Sequence, residues 1–413
     1  MATRIKKILA VSWAMPPMLF PRSIQVSRLL SALKEYGWEI TVICSDSKQS
    51  GNLDASLMEL YANSYEIICV PAENPKVPND ALMSNWLEPA LKAVRKQLSL
   101  QEYSVLVTFA QPWVDHLIGL KAHRANMPWV THFSDPWVDS PYYAGVDNGL
   151  LTQWKNMERS VVKRADMILF TNPQADELVM KKYPQEWKEK ARVIPHAFDP
   201  DLMQAPFPRK TRHDRLCMVY TGDLYKGRSA EGFLKALHLL SPKRPLIKEL
   251  EVHLFGRISE EERQRAEVLG LLKVVQFHEQ LSYMESLKKC AGCDVLLLID
   301  AAASIPSPFL PSKLVDYLAF KKPIFGLTST EGASADLLRQ LGFPVISPDD
   351  APAIAAALET LLKTWKTGAL PVSSRFEEVA AEYKARKVGS QFNQLLSEAI
   401  TNHSSKPGWQ IWP

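Results

Sequence analysis

The sequence predicts an α/β protein of two doubly wound parallel-sheet domains, and three observations carry that expectation. The chain has 413 residues, more than one ordinary core accommodates. Short β-branched apolar runs alternate with longer amphipathic stretches, as parallel strands do when helices connect them. The alternation runs twice, with an irregular, basic, proline-containing segment, QAPFPRKTRHDR (204–215), between the two series.

In the first series the strand candidates are ILAVS (8–12), EITVIC (39–44), SVLVTF (104–109), WVTHF (129–133) and DMILFT (166–171). Between the first two lies SIQVSRLLSALKEYG, where Val26, Leu29, Leu30 and Leu33 share a helical face and Gly37 supplies a stop. The second series is RLCMVYTG (215–222), EVHLFG (251–256), KVVQF (273–277), CDVLLLI (293–299) and KPIFGL (322–327). The domains expected are residues 1–205, joined by a C-terminal helix at about 385–402, and residues 212–384. Two such halves predict a cleft, with ligands at the carboxyl ends of the strands.

Composition narrows the function classes. Hydrophobic residues at 46% and charged residues at 23% belong to a folded globular chain. A net charge of +4 suits a phosphate-bearing substrate or an anionic membrane surface but is too weak to argue for nucleic acid. Five cysteines without regular spacing make no disulfide framework, and the CxxC at Cys290 and Cys293 reads as a pair of core thiols. The apolar run at the N-terminus is short and broken by prolines, unlike a signal peptide. No stretch is long enough to span a bilayer. The expectation is a cytoplasmic protein able to touch the inner face of a membrane without crossing it. The basic, aromatic stretch VMKKYPQEWKEKARV (179–193) suits either docking on anionic lipid or a solvated helical face.

Candidate chemistry lies where strands meet helices. SWAMPPMLFPRS leads from the first strand into a helix starting near Ser23, a good N-cap. The free N–H groups there, with Arg22 and Ser23, can take a polar ligand, or the loop is an ordinary connection. In PWVTHFSDPWVDSPYY, alternation puts His132 and Ser134 on one face, with Asp135 at the strand's carboxyl end and Trp129 and Trp137 beside it. Asp135 and His132 are candidates for a base or a sugar-hydroxyl ligand, against the plain alternative of a hydrogen-bonded strand histidine. His116, opening a helix in QPWVDHL, is a third candidate. In VYTGDLYKGRSAEGFLKAL, Gly222 with Lys226 and Arg228 before a helix makes a diphosphate site or a solvated loop. In PSPFLPSKLVDYLAFKKPIFG, a helix carries Ser312, Lys313 and Asp316, the acid placed in its first turn as a ribose ligand or a surface charge.

These segments, in this order, resemble the retaining glycosyltransferases of family four, which have two Rossmann-like lobes (the GT-B fold). The likeness runs through GWEITVIC, PWVTHFSDPW, VIPHAFDPDLM (193–203), TGDLYKGR, CDVLLLI, FLPSKLVDYLAFKKPI and EGASADLL (331–338). Asp316 matches the second acid of the family's donor motif, and Pro308 stands where the first would be. Asp223 stands where an arginine is common, and Pro21-Arg22-Ser23 replaces a glycine pair.

The resemblance implies transfer of a sugar, with retention and without metal or other cofactor, from a UDP- or GDP-sugar to a glycan or lipid-linked acceptor. The setting it implies is bacterial polysaccharide, glycolipid or glycoconjugate biosynthesis. It implies catalytic roles for Asp135, His132 and Arg228. Donor contacts fall to Gly222, Lys226, Arg228, Ser312, Lys313 and Asp316, and acceptor contacts to Arg22, Ser23, His116 and Trp137. The last helix, within EEVAAEYKARKVGSQFNQLLSEAI (377–400), is expected to cross back to the first lobe. The substitutions at 308 and 223 also suit a catalytically silent relative acting as a partner protein. A nucleotide-sugar epimerase would need converging acids and histidines that the second half lacks.

Overall fold

The structure is a computed structural model, and it describes residues 6–46, 52–72, 84–124, 126–143, 145–202, 214–225, 227–241, 244–302, 306–368, 370 and 372–405. The chain divides into two compact units, residues 1–197 with 385–413, and residues 198–384. The expected linker lies largely outside the described residues, at 203–213.

The first unit holds seven parallel strands: β1 (Lys6–Val11), β2 (Trp38–Ser45), β3 (Glu66–Val70), β4 (Val105–Ala110), β5 (Trp129–Phe133), β6 (Met167–Phe170) and β7 (Ala191–Val193). Their order in the sheet is β3-β2-β1-β4-β5-β6-β7. Ile8 pairs with Ile40 on one side and Val105 on the other, so β1 is central. Alternation sends Leu9 and Val11 into one apolar layer and Ile8 and Ala10 into the other. Both faces are covered, which is why these strands read as nearly unbroken apolar runs.

The second unit repeats the plan with β8 (Leu216–Thr221), β9 (Leu250–Phe255), β10 (Val275–His278), β11 (Val295–Ile299), β12 (Ile324–Leu327) and β13 (Val345–Ile346). Their order is β10-β9-β8-β11-β12-β13, again all parallel. Met218 and Tyr220 face one layer while Cys217 and Val219 face the other. Cys290 and Cys293 are free and buried in that second layer, where burial pushes both thiols up.

The final helix, Ala385–Ser404, belongs to the first unit. Its Val388, Phe392, Leu396 and Ala399 join Val26, Leu29 and Leu30 of the helix Pro21–Ser31 in one apolar layer. Trp38 Nε1 donates to Asn393 Oδ1 at 2.9 Å. Gly389 makes the close crossing, since a Cβ there would lie 2.5 Å from the Ala32 Cβ. Gly389→Val is therefore expected to lower stability by about 1–3 kcal/mol through overpacking. Urea denaturation followed by tryptophan fluorescence measures it.

Two expectations are corrected. Ser23 is not an N-cap: the helix begins at Pro21, with Phe20 as its cap residue. Proline needs no N–H partner at the first helical position, so it opens the helix, and Ser23 is buried inside the first turn. Asp316 is the fifth residue of the helix Ser312–Tyr317, past the first turn. The stop at Gly37 is borne out, with φ of 74° after the 3-10 turn Lys34–Tyr36. No helix among the described residues is long and apolar enough to cross a membrane.

Candidate functional site

In an open parallel sheet, ligands settle at the carboxyl ends of the strands where the winding reverses. In the second unit that point lies between β8 and β11, which are neighbours in the sheet but far apart in sequence. The loop after β8 and the residues after β11 place their charged side chains together there.

Arg228 Nε donates to Asp300 Oδ1 at 2.8 Å, and its guanidinium lies over the Tyr225 ring, 5.2 Å from the centroid. Asp300 follows β11 directly and is almost wholly buried. The Lys313 ammonium lies 4.0 Å from the centroid of the Tyr220 ring. Gly222 makes room for it: a Cβ there would meet Lys313 Nζ at 2.2 Å, and its φ of 129° disfavours other residues. Burial, then the neighbouring Arg228, pulls the Lys313 ammonium down to about 7, while Asp300 and Asp223 oppose that fall. Arg228, Lys313 and Arg257 gather around the two carboxylates Asp300 and Asp223, an arrangement fit for an anionic group.

Asp223 does not stand in for an arginine. It accepts from Arg257 N and Arg257 Nε, both at 2.8 Å, and so ties the loop after β8 to the loop after β9. Arg257, with an exposed side chain, is a cation at this rim that the motif did not reveal. Ser312 opens its helix and is half-buried, as is Asp316. Lys226 lies outside the described residues.

The reversal in the first unit lies between β1 and β4. Arg22 is buried there, and its guanidinium donates to Ala110 O and Ser134 Oγ. It also lies 3.5 Å from His132 Nδ1. A guanidinium only donates, so Nδ1 accepts in that contact and the His132 proton sits on Nε2. Burial, then Arg22, pushes the His132 imidazole well below its usual range, which keeps it neutral. His196 shares the small pocket formed with Arg22, Gln25 and Phe109, and burial pulls it down to about 3. Asp135 is half-buried and accepts from Gln111 Nε2 at 3.1 Å.

Other first-unit candidates turn inward. Trp137 is fully buried and stacked on Trp113, centroids 5.0 Å apart and planes 5° from parallel, so its indole face is already covered. Trp129 is equally buried and donates to Thr108 Oγ1. His116 is buried against Phe133, with Nδ1 2.8 Å from Thr108 Oγ1. The sequence missed Asp115 next to it, whose carboxylate accepts from Trp13 N at 2.8 Å and Trp86 Nε1 at 2.7 Å. Burial pushes that carboxyl up to about 7, with the two hydrogen bonds and Arg22 resisting.

Residues 23–202 match the model of Glycosyltransferase Family 4. The first unit is a glycosyltransferase family 4 domain. No curated protein matches the chain by sequence. Over the whole chain, the structure is similar to sucrose-phosphate synthase from Thermosynechococcus elongatus, at 17% identity and a TM-score of 0.73. That likeness covers 96% of this chain and 100% of the other. It is also similar to WaaG, a glycosyltransferase involved in lipopolysaccharide biosynthesis, at 15% identity and a TM-score of 0.60, covering 97% and 100%. A UDP co-structure of S. aureus MnaA matches at 11% identity and a TM-score of 0.60, covering 97% and 99%. At these identities the likenesses establish the fold, and the two units share the GT-B plan.

Proposed function

We propose that the chain transfers a sugar, with retention, from a nucleoside diphosphate sugar to a hydroxyl of a glycan or lipid-linked acceptor. The donor occupies the second unit and the acceptor the first. The observation that carries the donor assignment is that Arg228 and Lys313 lie near each other and near the buried Asp300 where the sheet reverses. In the reaction the anomeric C–O bond to the diphosphate breaks and the acceptor oxygen bonds to that carbon. The acceptor's proton passes to the departing diphosphate. Arg228 and Lys313 stabilise the charge growing on the leaving group, the term that dominates such transfers. A UDP- or GDP-sugar is the donor class, with Gly222, Ser312 and Asp316 as further contacts.

In the first unit, the tautomer set by Arg22 makes His132 a hydrogen-bond donor from Nε2 rather than a base. It is suited to a sugar or acceptor oxygen, and Asp135 to a hydroxyl. Ser23, His116 and Trp137 support the shape of this unit from within, which leaves Arg22, His132 and Asp135 for contacts.

Transfer or donor hydrolysis, measured over a panel of UDP- and GDP-sugars, is expected to fall ~10²–10³-fold in Arg228→Ala. Cations do the neutralising, so excess EDTA should leave the rate within about twofold. NMR of the product's anomeric proton tests retention. Tight nucleotide binding without turnover would instead favour the silent partner. Contact with anionic lipid would rest on the lysines and Arg192, since Trp187 is buried and Tyr183 donates to Glu158 Oε1 at 2.6 Å. Liposome flotation decides that point.

A further inference from the structure

Asp300, at the end of β11, is a buried acid with one oxygen left unsatisfied among the described residues. Asp300 Oδ1 accepts from Arg228 Nε at 2.8 Å and from Ala301 N at 3.0 Å. Those two bonds fix the plane of the carboxylate. Oδ2 is buried as well and has no hydrogen-bond partner among the described residues. A buried polar atom without a partner is costly, and native chains seldom leave one. An ion-paired carboxylate only accepts, so the group that completes Oδ2 must bring an O–H or N–H.

The surroundings narrow that group further. Arg228 and Lys313 beside Asp300 call for an anion, while Oδ2 calls for a donor. A sugar phosphate carries both within a few bonds. The sequence offers no acid at 308, where Pro308 has no side-chain acceptor for a hydroxyl. Asp300 reaches the same end of the sheet from β11 instead.

Resting on the donor-site reading above, we propose that Asp300 Oδ2 receives a hydroxyl of the transferred sugar and so selects the donor's sugar. Asp300→Asn tests this cleanly. The amide oxygen can keep the bonds to Arg228 and Ala301, while Oδ2 becomes an NH₂ that no longer accepts. Calorimetric titration compares UDP with UDP-glucose, and GDP with GDP-mannose, on wild type and variant. The expected result is ~10- to ~100-fold weaker binding of the nucleotide sugar, the loss of one hydrogen bond to a charged group. The bare nucleotide should stay within about twofold.

Equal losses for nucleotide and nucleotide sugar would overturn the proposal, leaving Asp300 as a positioning residue for Arg228. No loss for either would also overturn it. If wild type binds none of the four ligands, the transferase reading fails and this proposal with it. Monodeoxy analogues of the donor sugar, titrated on wild type, give an answer that needs no variant to fold. One analogue should lose the same factor, whereas undiminished binding of every analogue overturns the assignment.

Discussion

Lys313→Met is expected to weaken binding of a nucleoside diphosphate by ~10- to ~100-fold near pH 6 and to remove its dependence on pH. Wild-type Lys313 has no carboxylate or carbonyl partner among the described residues, only the face of Tyr220. Burial and Arg228 pull its ammonium down to about 7. A diphosphate would supply the missing negative charge and hold the proton on. Binding therefore takes up a proton above pH 7, and wild-type affinity should fall up to about tenfold per unit there.

The sign for stability runs the other way. Between about 7 and the lysine's usual 10.5, the folded chain holds fewer protons than the unfolded one. This group therefore makes stability rise with pH across that window. Methionine abolishes both slopes. Titrations with UDP and GDP at pH 6, 7, 8 and 9, with melting curves alongside, measure the pair of effects. A flat wild-type profile would remove Lys313 from the diphosphate contact.

How much of this was legible in the sequence depended on burial. The ten strands read from the sequence lie at or near β1, β2, β4, β5, β6 and β8–β12. The three missed strands, β3, β7 and β13, are all edge strands. Their residues are largely half-buried or exposed, and β7 and β13 have three and two residues, so no long apolar run marks them. Among the proposed site residues, Arg228 and Lys313 could be picked out in the sequence because one follows a glycine loop and the other lies in a short helix between two strands. Asp300 was not, because a single acid ending an apolar run looks like any strand terminus. Trp137 misled for a related reason: a tryptophan near a strand end gives no sign of whether its face meets a sugar or Trp113. Asp115 and His196 stayed hidden because their partners are 102 residues away in the chain or on another element.

Arg22→Met should produce the largest loss of stability, about 3–5 kcal/mol, because it strips a donor from the buried Ala110 O and Ser134 Oγ and removes the cation that faces Asp135 and Asp115. The guanidinium holds Ala110 O and Ser134 Oγ, and its charge is balanced by Asp135 and Asp115. Burial already pulls Arg22 down to about 10, so the environment tolerates the charge only with those acids nearby. Asp115 is the more exposed to the change. Its folded carboxyl stands at about 7, against a usual 3.8. Between those values the folded chain keeps a proton that the unfolded chain releases, so stability falls as pH rises through the window. Without Arg22 that carboxyl rises further, and the decline should extend beyond pH 7. Asp115→Asn removes the charge altogether. The double variant is therefore expected to be more stable at pH 8 than the sum of the single losses allows, a coupling of about 1–3 kcal/mol. Urea denaturation of the four proteins at pH 5 and pH 8 reads that coupling directly. Additive losses with parallel pH profiles would mean that Arg22 acts through Ala110 and Ser134 alone, as a structural clamp with no electrostatic hold on the first unit's site.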